Sequence, residues 1–498
     1  MKRSSGVLMP IFSLPSKYGI GTLGEEAYNF VDFLVETKQS YWQMLPIMQT
    51  SFGNSPYSAM SSFAGNPFFI DFDELKNDGL LKESDYKFLE RDINPRRVDY
   101  QKQFDNKYKI LKIACDNFKN IYQNELDTFC SNYDYFLNDY AIFSALKNKY
   151  NGGSFDVWDY DFKVKNIDAI NKFIDGNQNE IEFYKIVQCL FYRQWFKLKK
   201  YANLKGIQII GDTPIYSAYD SAEVWANPKY FYLDENRKPI EVSGCPPDGY
   251  SATGQLWGNP LYNYDYIKDN NYKYFIDKFS HLLELYDVLR IDHFRGFDSY
   301  YSIPYGSPDA TIGKWVKGPG IELFNELKKS LSNVNIIVED LGFLTDSVRN
   351  LLKETGFPGM KVMEFAFNAY DKGNTEYLPH TYPENCVAYL GTHDNDTFMG
   401  WIKSISPEDR NYAIEYLNLK EPSEYYIEAL KVLYQSKSNL VIVQFQDILG
   451  TGGIGRMNTP STISPMNWSY RLLPYELNDD TKTFLKQLTI ESKRENIN

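Results

Sequence analysis

Three short apolar runs in this 498-residue chain each end at a carboxylate: residues 288–291 before Asp292, 335–338 before Glu339, and 387–393 before Asp394. In a parallel barrel every strand points the same way, so residues at the strands' C-terminal ends converge on one rim. A buried run at 207–211 ends likewise at Asp212. The expected fold is α/β, a (β/α)8 TIM barrel with helical and loop insertions. Its strands are predicted at 40–45, 68–72 and 207–211, in the runs ending at Asp292 and Glu339, and at 361–365, 386–390 and 440–445.

Helical spacing dominates residues 73–180, which read as a helical subdomain inserted in a single catalytic barrel spanning 1–498. A long helix is predicted over 182–202, because Val187, Phe191, Trp195, Leu198 and Ala202 form one apolar stripe. Residues 221–280 read as a second inserted segment. Within it, 243–258 is rich in Gly and Pro but interspersed with Cys, Tyr, Leu and Trp. Loops of that length are usually functional or disordered, and the large side chains favour function.

Composition narrows the partners. A formal charge of −12 and a pI near 5.1 argue against nucleic acid or an anionic membrane. Aromatic residues make up 16% of the chain, and their rings suit the flat C–H faces of sugars. The five cysteines are odd in number and scattered, with no C-x-x-C spacing, which argues against a zinc motif or a disulfide framework. No N-terminal signal segment and no run of about 18 apolar residues is found, so a cytoplasmic location is expected.

Two convergent carboxylates with a third beside them suffice to cleave a glycosidic bond. Arg290, two residues before Asp292, shares its strand face and is expected to hold that carboxylate ionised, as a nucleophile needs. Glu339 ends an apolar run, so desolvation is expected to raise its pKa, as a general acid needs. Asp340 points to the opposite face and reads as a structural cap. The chain has four histidines, and two of them, His293 and His393, adjoin candidate acids. The spacing does not match a metal site, and no cofactor is expected.

The segments Arg290–Phe297, Glu339–Gly342 and Gly391–Thr397 resemble the 4-α-glucanotransferases, also called amylomaltases or disproportionating enzymes. Leu14–Gly21, Ser55-Pro56-Tyr57, Gly254–Tyr262 and Gly356–Lys361 resemble the same family, so the likeness covers nearly the whole chain. It implies an α-amylase-type barrel with no separate C-terminal β-domain, acting on maltooligosaccharides and α-1,4-glucans by a retaining double displacement. By this resemblance Asp292 is the nucleophile, Glu339 the acid/base and Asp394 the transition-state stabiliser. Tyr57, Asp212, Trp257, Arg290, His293 and His393 become substrate contacts, and 246–257 the mobile loop over the acceptor cleft. The chain departs from many relatives at Tyr301 (Trp there), Glu364 (Gln) and Ser461 (Gly). The three acids alone leave a retaining α-glucan hydrolase open as an alternative, and oligomeric state is not indicated.

Overall fold

A computed structural model describes residues 2–51, 53–247, 251–342 and 344–496. Among the described residues twelve strands form two sheets. In chain order they are β1 (Ser4–Leu8), β2 (Tyr41–Gln43), β3 (Gln208–Thr213), β4 (Glu241–Cys245), β5 (Gln255–Pro260), β6 (Val288–Ile291), β7 (Ser299–Pro304), β8 (Lys314–Lys317), β9 (Ile336–Val338), β10 (Gly359–Val362), β11 (Cys386–Tyr389) and β12 (Leu440–Gln444). Eight of them pair in parallel in the order β10-β11-β12-β1-β2-β3-β6-β9. The backbone N–H of Val338 donates to Pro358 O at 3.0 Å, joining the two ends of that sheet into a (β/α)8 barrel.

The first two expected strands need correction. The barrel opens with β1, and 40–45 holds the second strand rather than the first. Ser4, Ser5 and Gly6 carry no apolar β-branched signal because β1 is squeezed between β12 and β2. A Cβ on Gly6 would stand 2.6 Å from Tyr41 O, so only glycine lets the two strands approach. The run 68–72 is not a strand. Pro67–Phe69 is a 3-10 turn, its Asn66 side chain capping Phe68 N, and Asp71 then caps the helix Phe72–Asn77. A short buried apolar run has no periodicity to distinguish these outcomes. The sixth strand also lies earlier than expected, which places Glu364 in the 3-10 turn Met363–Ala366 beyond it.

The stretch from β2 to β3 is largely helical, and its longest helix, Gln178–Leu204, buries Val187, Phe191, Trp195, Leu198 and Ala202 as the stripe predicts. The remaining strands, β5-β4-β7-β8, make an antiparallel sheet beside the barrel mouth. Past β12 the described residues add no further strand to either sheet. Asp248, Gly249 and Tyr250 of the expected cleft loop lie outside the described residues.

Candidate active site

Asp212 and Arg290 are register partners on β3 and β6, one on each strand, so both project to the same face. Arg290 is 3% exposed and connects the site. Its Nη1 donates to Asp212 Oδ1 and Oδ2 at 2.8 and 2.7 Å and to Asp292 Oδ1 at 3.0 Å. Its Nη2 donates to Glu339 Oε2 at 3.0 Å. The two carboxyls that follow β6 and β9 are thereby held on one guanidinium, within hydrogen-bond reach of each other. They form the floor of a cleft: surrounded by protein, yet with part of each side chain open to solvent.

His293 follows Asp292 in the left-handed region at φ 52°. That uncommon backbone aims its N–H at Glu339 Oε2, 3.1 Å away. Burial brings the imidazole down to about pKa 4, so it is neutral, and its buried Nε2 has no partner among the described residues. Trp257 on β5 stands edge-on to the same ring at 4.7 Å.

The electrostatics of the acid pair run opposite to the sequence-based expectation. Burial, and next the charge of Glu339, push Asp292 well above the usual carboxylate range despite Arg290. Burial also pushes Glu339 up, but Arg290 and the hydrogen bonds from Asp292 and His293 outweigh it, so its net direction is down. The reason lies in the bonding: Glu339 accepts from both Arg290 and His293, whereas Asp292 shares an Nη1 already committed to Asp212. Coupled in this way, the two acids titrate as one unit.

Asp394 follows β11 on the Gly391–Thr392 loop and is 48% exposed. Burial would raise its pKa, but His393, Asn458 and Arg290 together hold it down at about 2. His393 Nε2 stands 3.4 Å from Asp394 Oδ2 and Asn458 Nδ2 donates to Oδ1 at 2.6 Å. Tyr57, from the loop after β2, donates to Asp212 Oδ2 at 2.8 Å and stacks on His393 with ring centroids 5.0 Å apart. All nine candidate residues thus belong to one connected constellation at the C-terminal end of the barrel. A small recess lined by Pro56, Tyr57, Asp212, Tyr216 and Ser217 opens beside it.

A family model described as 4-alpha-glucanotransferase matches residues 9–476. The chain belongs to the 4-alpha-glucanotransferase family. The 4-alpha-glucanotransferase of Clostridium butyricum is 46% identical over 465 residues, covering 93% of this chain and 95% of that protein. The amylomaltase of Streptococcus agalactiae, solved in complex with acarbose, is 41% identical with a TM-score of 0.97, covering 99% of this chain and all of that one. An amylomaltase from Corynebacterium glutamicum at 18% identity and TM-score 0.81, covering 99% of this chain and 75% of that one, shares the fold.

For this glucanotransferase chain, sequence reasoning missed the group that supports Asp394. Besides Asn458, Arg456 Nη2 donates to Asp394 O at 2.9 Å, and Trp468 packs on Tyr57 and His393 at 5.8 and 5.9 Å. All three lie beyond β12, and the rule that loops after barrel strands build the active face was the available signal. Asp340 is structural, but it caps no helix. Its Oδ1 accepts from Met360 N at 2.6 Å, tying the end of β9 to the start of β10. Glu364 does not line the cleft: it is 5% exposed, with its carboxyl packed behind Gly391. No group of three His, Cys, Asp or Glu with metal-binding geometry occurs among the described residues.

Proposed function

We infer that this protein is a retaining 4-α-glucanotransferase that moves α-1,4-glucan segments from a donor maltooligosaccharide to the 4-hydroxyl of an acceptor glucan. The observation that carries the mechanism is the Asp292–Glu339 pair, two half-buried carboxyls hung on one guanidinium, which reaches each of them at 3.0 Å. Closely spaced carboxyls are the arrangement of retaining chemistry, since an inverting enzyme needs room for a water between them.

With a donor bound, the proton of the pair is held by Glu339 and Asp292 is ionised beside Arg290. Glu339 then protonates the glycosidic oxygen while Asp292 attacks the anomeric carbon, and the reducing-end fragment departs. Positive charge developing on the sugar ring is met by Asp394, which stays ionised because of His393 and Asn458. In the second half, Glu339 takes the proton of the acceptor hydroxyl as that oxygen displaces Asp292. Tyr57, Asp212, Arg290, His393, His293 (through its free Nε2) and Trp257 are assigned to hold the sugars.

Residues 73–180 are assigned as an inserted helical subdomain, and 221–280 as an inserted segment carrying the acceptor-side loop 243–258. The β4–β5 hairpin bears that loop, with Trp257 reaching His293. A cover of this kind excludes water and positions the acceptor, which favours transfer over hydrolysis. No described helix is long and apolar enough to cross a membrane. A cytoplasmic location is proposed on the five free cysteines spread through the fold.

Incubation with pure maltotriose tests the assignment. Glucose, maltopentaose and longer products at constant total reducing ends are expected. Rising reducing ends with only glucose and maltose would make the protein a hydrolase.

A further inference from the structure

Asp394 is held at two points by the loop 453–468 beyond β12. Asn458 Nδ2 donates to its carboxylate at 2.6 Å, and Arg456 Nη2 donates to its main-chain carbonyl at 2.9 Å. Arg456 also donates through Nε to Asn458 O at 2.7 Å, which locks the two supports together. With the Asp394 carboxylate 48% exposed on a short turn, these loop contacts and His393 set its orientation.

The loop is in turn tethered from the helical stretch between β2 and β3. Arg97 reaches both of its ends: Nη2 donates to Ile454 O, and Nη1 donates to Met466 O at 3.1 Å and to Ser469 Oγ at 3.5 Å. The backbone here forms an antiparallel bridge between Arg97 and Tyr470. Val98 N donates to Ser469 O at 2.8 Å and Arg471 N to Arg96 O at 2.9 Å, and this pairing carries the Arg97 side chain to the base of the loop. The adjacent arginine does something else. Arg96 pairs with Glu476 through both terminal nitrogens at 2.8 and 2.6 Å, whereas Arg97 meets main-chain carbonyls of the loop. A planar guanidinium spans two such acceptors, and a single ammonium does not. Trp468 N closes the loop on Met457 O at 2.8 Å, and Gln446 Nε2 seats it on the barrel through Gly455 O at 3.2 Å. Arg97 adds the anchor from the helical side.

We propose that Arg97 is a positioning residue for the reaction: by joining Ile454 to Met466 it orients the loop so that Asn458 and Arg456 meet Asp394. This rests on the reading of Asp394 as the group that meets charge developing on the sugar. Residues 73–180 supply none of the nine candidate residues, and Arg97 gives them a part in the chemistry. A displacement of about 1 Å at a reacting group costs about a hundred-fold in rate, so a tether that never touches the sugar still counts. Because Asp394 acts at the transition state more than on the bound sugar, losing the tether lowers kcat and spares KM.

The test measures kcat and KM on maltotriose, with melting temperature, for variants at positions 96, 97, 394 and 458. Arg97→Ala is expected to lower kcat about ten-fold, with KM changed by less than about two-fold. Arg97→Lys keeps the charge, and with it the fold, but loses the span, so its kcat is expected to stay near that of Arg97→Ala. Arg96→Ala breaks the ion pair with Glu476 in the same bridge. It is expected to lower the melting temperature while kcat stays within about two-fold of wild type. The Arg97→Ala/Asn458→Ala double variant is expected to fall within about two-fold of Asn458→Ala alone, since both changes act on one contact. Full kcat in Arg97→Ala overturns the proposal. So does an equal kcat loss in Arg96→Ala, which would mean general loosening, and so do losses that multiply in the double variant. Asp394→Asn tests the reading beneath it. Near-wild-type kcat there would remove the role of Asp394 and the proposal with it, whereas an inactive Asp394→Asn beside a fully active Arg97→Ala removes the proposal alone.

Discussion

The guanidinium of Arg290 and the carboxylate of Asp212 face each other across two neighbouring barrel strands, with Nη1 2.7 and 2.8 Å from the two oxygens. Both are almost wholly buried, with Asp212 1% and Arg290 3% exposed at the base of the cleft. The pair fixes the position of a cation that the acids after β6 and β9 then share, and so the geometry of the reaction centre is set inside the barrel wall.

Arg290→Lys keeps the charge but loses the planar fork, so one nitrogen cannot serve Asp292 and Glu339 together. A fall in kcat/KM of about a hundred- to a thousand-fold is expected on maltotriose, with folding retained by circular dichroism. Arg290→Leu leaves Asp212 buried without its partner and is expected to cost about 3–5 kcal/mol in denaturant unfolding. Near-wild-type turnover by the lysine variant would remove the bridging role.

Asp292→Asn is expected to abolish turnover while maltooligosaccharide binding persists. On the proposed roles Glu339→Gln loses the proton donor but keeps the nucleophile, so an activated donor such as an α-glucosyl fluoride should still load the enzyme. Intact-protein mass spectrometry should then find one added glucosyl group on Glu339→Gln and none on Asp292→Asn. The reverse pattern would exchange the two roles.

The proposed mechanism needs one proton on the acid pair and a charged Asp394. With Asp394 held down at about 2, it stays ionised throughout the working range, and the acid limb of the pH–rate profile belongs to the pair. Asp292 is raised well above the usual range, so the alkaline limb reports loss of the shared proton. Both limbs should shift together in Arg290→Lys, and a profile in which only one moves would separate the two acids.

Neither carboxyl oxygen of Glu364 has a hydrogen-bond partner among the described residues, and burial, with Asp447 and Asp396 adding to it, raises it well above the ordinary range. A raised folded pKa means that the unfolded chain gives up its proton first, so stability falls as pH rises above the unfolded value. Glu364→Gln removes this linkage and can donate a hydrogen bond to the neighbouring acids. Its stability advantage is expected to grow by up to about 1.4 kcal/mol per pH unit from weakly acid pH until Glu364 itself ionises. Thermal melts of both proteins at a series of pH values check this, and a constant difference refutes it.

Ser461 sits in the left-handed region at φ 61°, where its Cβ is strained. Ser461→Gly is expected to stabilise the protein by about 0.5–1 kcal/mol, net of the greater chain freedom glycine brings to the unfolded state. A lowered melting temperature would show that the serine makes a compensating bond.

The strands that ended in acids were legible because a buried β-branched run broken by a carboxylate has few explanations. β1 was not, because its residues are selected for smallness by two flanking strands, a requirement that exists only once the barrel closes. The 3-10 turn at Pro67–Phe69 was misread for the opposite reason: its apolar residues are buried by helices far away in sequence, so no local period marks them. Asn458 and Arg456 reach Asp394 across 64 and 62 residues of chain, with no motif to announce them.

By itself the sequence determined the barrel and the family and picked out the three candidate acids, since each depends on a local pattern of residue types in order. That Arg290 ties both acids to Asp212, that Glu364 is walled off from the cleft, and that Arg295 lies over Trp315 were decided by tertiary structure alone. Proton affinity depends on how many donors converge on an oxygen and how much water is excluded, and both are properties of neighbours brought together by folding.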